Sequence, residues 1–89
     1  MNEKLIKLNE KQEHLKTVSD QIYWLTTMSN FRKQEISTMK ADKNIPDQIK
    51  DKVIEQYQKL VDVLDELIAV ETTETKVIIK EINNLMRRI

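Results

Sequence analysis

Apolar residues return at every seventh position in the first half of the chain, at Leu8, Leu15, Ile22 and Ile36, with Ser29 holding the intervening place. Val18, Leu25 and Met39 fall between them. Alternating steps of three and four form one stripe along a helix, so this pattern predicts a helix over about 3–41. A more regular series follows: Ile54, Tyr57, Val61, Leu64, Ile68, Glu71, Thr75, Ile78, Ile82, Leu85 and Ile89. It predicts a second helix over about 46–89. Only the stretch Ala41-Asp42-Lys43-Asn44-Ile45-Pro46-Asp47 punctuates the chain. Pro46 suits the first turn of a new helix, Asp47 favours its positive end, and Asn44 suits a left-handed residue closing the preceding helix. A turn is therefore expected at about 42–46.

Two amphipathic arms with heptad spacing and one short turn predict an all-α fold, a long antiparallel helical hairpin forming a single domain over 1–89. Glu71-Thr72-Thr73-Glu74-Thr75 gathers polar and β-branched residues in the second arm. A break there would give the alternative, a three-helix bundle. The second arm also carries more apolar residues than one seam covers. Val53, Leu60 and Leu67 flank its stripe, and Val63, Val70 and Val77 make a further seven-spaced line. Each large aliphatic left in water forgoes about 1.5–3 kcal/mol, so a partner surface is expected. Dimerisation into a four-helix bundle is the simplest cover, and a heterologous helical partner is the next.

Composition narrows the chemistry. The 89 residues include no Gly, no Cys and one Pro, which removes glycine-rich phosphate loops, strained nucleophile turns, disulfides and thiolate metal sites. Lysine far outnumbers arginine and isoleucine is abundant, a low-GC usage that suits a bacterial or phage origin. Fifteen basic and fifteen acidic residues give zero formal net charge, so no global field draws the chain to nucleic acid or to an anionic membrane. No uninterrupted apolar run exceeds four residues, and no apolar segment follows the N-terminal lysines. We expect a soluble, unprocessed, cytoplasmic chain without membrane contact.

The only histidine, His14, sits one turn after Glu10, too sparse a set for a helical-bundle metal site. With no nucleophile elbow, no cysteine and ordinary carboxylate spacing, no enzyme activity, metal or cofactor is expected. The string Leu64-Asp65-Glu66-Leu67-Ile68 resembles the end of a motif in small sporulation phosphatases acting on aspartyl phosphate. Val61, Asp62 and Val63 stand where that motif has Ser, Gln and Glu, so no activity is carried over.

Three groups remain as candidate sites. Trp24, Met28 and Phe31 lie at i, i+4 and i+7 on a shoulder of the first helix, with Arg32 and Lys33 beside them, and are read as a partner-binding ridge. Asp62, Asp65, Glu66, Glu71 and Glu74 occupy a segment without a positive residue and are read as an acidic face. Glu71 and Thr75, interrupting the apolar ladder, are expected to form a polar layer with His14 that fixes register. These features point to a non-enzymatic protein–protein interaction module: a small regulator, inhibitor or adaptor acting through helical surfaces on a protein target.

Size and hairpin layout are also similar to the WXG-type partners and targeting factors of type VII secretion. That resemblance implies an alternative role in docking beside another helical hairpin. It covers architecture only, because Trp24 lies mid-helix and no glycine is present to make a Trp-x-Gly turn. A nucleic-acid-associated accessory is a further alternative. Lys4, Lys7, Lys11, Lys80, Arg87 and Arg88 would gather at the open end, offset by Glu3, Glu10, Glu13 and Glu81, which leaves little of the basic stripe that nucleic acid requires.

Overall fold

The computed structural model describes residues 2–88 and consists of two helices, α1 (Glu3–Ala41) and α2 (Asp47–Arg87). No strand occurs among the described residues. The fold is the all-α helical hairpin that the two stripes predict. Ile89, the last member of the second stripe, lies outside the described residues.

Local chemistry fixes the helix ends. Asn2 Oδ1 accepts a hydrogen bond from the Lys4 amide at 2.9 Å, capping α1. At the turn, the Asp42 amide donates back to the carbonyls of Thr38 and Met39. The Asn44 amide donates to Asp42 Oδ1 at 2.9 Å, and Lys50 Nζ donates to the Asp42 carbonyl. The expected left-handed Asn44 is not found: no described residue has positive φ. An Asx-type bond from the Asp42 side chain turns the chain instead, so the strained conformation is unnecessary. The Pro46 carbonyl accepts the Lys50 amide at 3.0 Å, and Asp47 opens α2 where its charge meets the helix dipole.

The predicted alternative, a break near 71–75, does not occur, because α2 runs through that stretch. Thr73 Oγ1 donates to the Ala69 carbonyl and Thr75 Oγ1 to the Glu71 carbonyl, each at 3.0 Å. A hydroxyl that competes for backbone groups here finds them inside the helix, four residues back, and does not unwind it.

Tertiary contacts divide the chain into two compact units, each built from a piece of both helices. The terminal unit pairs the stretch up to Tyr23 with the stretch from Ala69 onward. Its core is Val18, Ile78 and Ile82, with Leu8, Leu15 and Ile22 packed against them. Lys11 pairs with Glu81, and Lys4 Nζ reaches the Arg88 carbonyl at 3.2 Å. The turn unit spans Trp24–Ile68. Val61 at 2% exposure, Ile36 and Ser29 are buried there, and Leu25, Arg32, Met39, Ile54, Tyr57 and Leu64 are half-buried beside them.

Candidate functional site

The turn unit carries a polar node at its seam. Ser29 is 1% exposed and sits where the heptad spacing calls for an apolar side chain. Its hydroxyl donates to Asp65 Oδ1 at 2.7 Å, while Lys33 Nζ lies 3.4 Å from Asp65 Oδ2. A buried hydroxyl without a partner costs about 1–3 kcal/mol, and Asp65 removes that cost. The bond from Ser29 lowers the Asp65 carboxyl below its ordinary value of 3.8; desolvation opposes it in part, and the charge and hydrogen bond of Lys33 add lesser downward effects.

A carboxylate whose folded pKa is depressed stabilises the fold at pH above its unfolded value, and that contribution disappears as pH falls through the folded value. Melting temperature should therefore fall on acidification below about pH 4. Asp65→Asn should be less stable than the parent at neutral pH and should show a shallower acid loss. Parallel acid profiles for the two proteins, measured by circular dichroism, would remove Asp65 from this role.

Arg32, the next seam residue of α1, is held among three groups. Its guanidinium carbon lies 5.2 Å from the Tyr57 ring centroid and 5.8 Å from that of Phe31, and one nitrogen lies 2.8 Å from Glu35 Oε1. Stacking between two rings keeps the charge near the seam without stripping it of solvent, since the side chain stays 38% exposed.

The Lys33–Asp65 pair fixes which way each side of the turn unit faces. Lys33 follows the seam residue Arg32, and Asp65 follows the seam residue Leu64. In an antiparallel pair, one step forward from the seam turns both helices towards the same side, and one step back turns both to the opposite side. The forward side is polar, with Asn30, Lys33, Ser37, Lys40, Glu55, Gln58, Asp62 and Asp65. Asp62 there accepts from Gln58 Nε2 at 3.0 Å. The backward side is apolar away from the turn, near which Glu35, Thr38 and Gln56 lie. Trp24, Met28 and Phe31 come from α1, and Leu60, Val63 and Leu67 from α2, with exposures of 63%, 52%, 59%, 48%, 54% and 44%. A shallow groove runs along its α1 edge between Trp24, Thr27, Met28, Phe31 and Arg32.

The ridge of Trp24, Met28 and Phe31 is thus joined by three aliphatics that the sequence places only as flanking lines. Lys33, grouped with the ridge by sequence, faces the other way, and Arg32 lies between the two sides. The five acidic candidates are divided between the two units. Asp62 and Asp65 lie on the polar side of the turn unit, while Glu66 points along the outer edge of α2. In the terminal unit Glu71 is half-buried on the seam, and Glu74 Oε1 meets His14 Nε2 at 3.1 Å.

Of the polar-layer candidates, the structure brings His14 to Glu74 rather than to Glu71. The Thr75 hydroxyl is bonded within its own helix. One oxygen of Glu71, Oε2, is buried and has no hydrogen-bond partner.

Among the described residues, no group of three or more histidine, cysteine or acidic side chains could hold a metal ion, and no helix is long and apolar enough to cross a membrane. No protein-family model, curated protein or solved structure matches the chain.

Proposed function

We propose that the chain is a non-enzymatic interaction module, a small regulator, inhibitor or adaptor that works by docking the apolar side of its turn unit against another helical surface. The observation that carries this reading is the asymmetry of that unit. On its charged side Ser29, Asp65 and Lys33 answer one another, whereas six large apolar side chains on the other side are exposed. Contiguous exposed apolar surface rimmed by polar residues marks an association site. Two aromatic rings with a pliable methionine between them are the side chains that concentrate interface energy.

The test compares the tagged chain with its Trp24→Ala variant in co-purification. Trp24 is exposed, so helicity should be unchanged, while the bound protein should be lost through an affinity drop of about 30-fold, equivalent to about 2 kcal/mol. Retention should vary little between about 50 and 200 mM salt, as an apolar contact does and a phosphate contact does not. Equal recovery with both chains, or recovery with neither of another protein or of an untagged copy of the chain, would overturn the reading.

A further inference from the structure

We infer that the occupant of the apolar side is a second copy of this chain, packed face to face and antiparallel across a two-fold axis at the level of Met28 and Val63. This assignment rests on the module reading above and names its partner.

The first support is the symmetry of the surface itself. Within the turn unit, Ser29 reaches Asp65 and Arg32 reaches Tyr57, so Met28 on α1 stands level with Val63 on α2. Around that level the apolar block is alike in both directions along the helices. Trp24 and Phe31 bracket Met28 on α1, and Leu67 and Leu60 bracket Val63 on α2. Half a turn about an axis crossing both helices sets Trp24 over the copy's Phe31, Met28 over the copy's Met28, Leu60 over the copy's Leu67 and Val63 over the copy's Val63. An isologous contact requires this self-complementarity, and a surface shaped for an unrelated partner does not.

The second support is area. At the exposures given above, the six side chains leave on the order of 600 Å² open per copy, so a pair would close roughly 1,200 Å², the lower end of specific interfaces. That size corresponds to a weak, reversible dimer, with dissociation on the order of micromolar.

The third support is charge. Lys59 and Glu66 lie one heptad apart on the outer edge of α2, next to the apolar block. The same half-turn brings Lys59 of each copy within about two residues of the level of the other copy's Glu66, giving two opposite-charge contacts per dimer. The remaining face-to-face arrangement, with α1 over the copy's α2, sets Lys59 beside uncharged Gln34 and offers no such pair. In the single chain Lys59 pairs with Glu55, at 3.4 Å with both side chains more than half exposed. Such a pair is weak enough to be exchanged.

The experiment is sedimentation equilibrium over a micromolar concentration series, with circular dichroism as the check on folding. The parent chain should move from its 10.6 kDa mass to twice that mass as concentration rises, and Trp24 emission should shift to shorter wavelength along the same curve. Lys59→Glu and Glu66→Lys, both at exposed positions, should each weaken the dimer about tenfold, because each sets like charges opposite one another twice. Combining the two should restore affinity to within about threefold of the parent.

A parent chain that stays monomeric throughout overturns the inference. If Trp24→Ala still loses its co-purified protein in that case, the module reading stands with a heterologous occupant. A dimer that both single changes leave intact, or that the double change fails to restore, overturns the antiparallel arrangement.

Discussion

Val61→Asp should abolish the cooperative melting of the protein, the largest effect expected of any single change. Val61 is 2% exposed at the centre of the turn unit, and its neighbours on the seam are Ile54, Tyr57, Leu64 and Ile68. A carboxylate there loses its water, while the nearby Arg32 and Ser29 are already engaged by Glu35 and Asp65, so the cost is on the order of 3–5 kcal/mol. The whole stability of a small domain is about 5–15 kcal/mol, so a chain of 89 residues has little margin. Val61→Ala should lose about 2 kcal/mol, since it leaves a cavity without a charge. The two variants, compared by thermal and urea unfolding, should fall in that order. An aspartate variant that melts with the parent would mean that Val61 is not part of a closed core. Asp62, the next residue, shows how local the effect is: it carries the same group in solvent and accepts a hydrogen bond from Gln58.

Glu71→Leu should act in the opposite direction and raise the melting temperature. The seam of the terminal unit is apolar at Ile78 and Ile82, while Glu71 brings into it an oxygen that has lost water and gained no donor. Replacing such a group with an aliphatic of similar size recovers about 1–2 kcal/mol, or roughly 4–16 °C for a domain of this length. Adding Thr75→Ile should contribute little more, because the Thr75 hydroxyl is already satisfied by the Glu71 carbonyl. The change should also loosen the oligomeric state if Glu71 is retained to fix register, as single buried polar groups do in coiled coils. Differential scanning calorimetry and sedimentation would read the two effects separately. A fall in melting temperature would show that the Glu71 carboxylate is satisfied in solution by a docked group, and would give the position a binding role.

The hairpin was legible because period and punctuation agree. Leu8, Leu15, Ile22 and Ile36 specify a single stripe, and the chain has no glycine and no second proline to mark another turn. The Glu71–Thr75 stretch was ambiguous because propensity weighs against threonine in a helix, whereas the hydroxyl bonds to Ala69 and Glu71 that accommodate it depend on the helix already being there. Asn44 misleads for a related reason. Its own preference is for a left-handed conformation, but the Asp42 side chain closes the turn first.

At the candidate site, the spacing of Trp24, Met28 and Phe31 reads directly as a ridge. Its continuation onto Leu60, Val63 and Leu67 does not, because that depends on which side of each helix meets the other, and the Lys33–Asp65 contact supplies that information. Ser29 looks like a defect in the stripe until Asp65, thirty-six residues away, is seen to answer it.

A chain with one reverse turn must assemble in an order set by loop closure. The Lys50 contact with Asp42 closes a separation of eight residues, Ser29 with Asp65 one of thirty-six, and Lys4 with Arg88 one of eighty-four. Each doubling of a flexible loop adds about 0.6 kcal/mol of entropic cost, so the far contacts become affordable only after the near ones have shortened the remaining loop. Folding should then proceed as a zipper from Asp42–Asp47 towards the termini, with the turn unit in its nucleus and the terminal unit the last to close. Substitutions in the two units would accordingly leave opposite kinetic signatures: slower folding for Val61 and Ser29, faster unfolding for Val18 and Ile78.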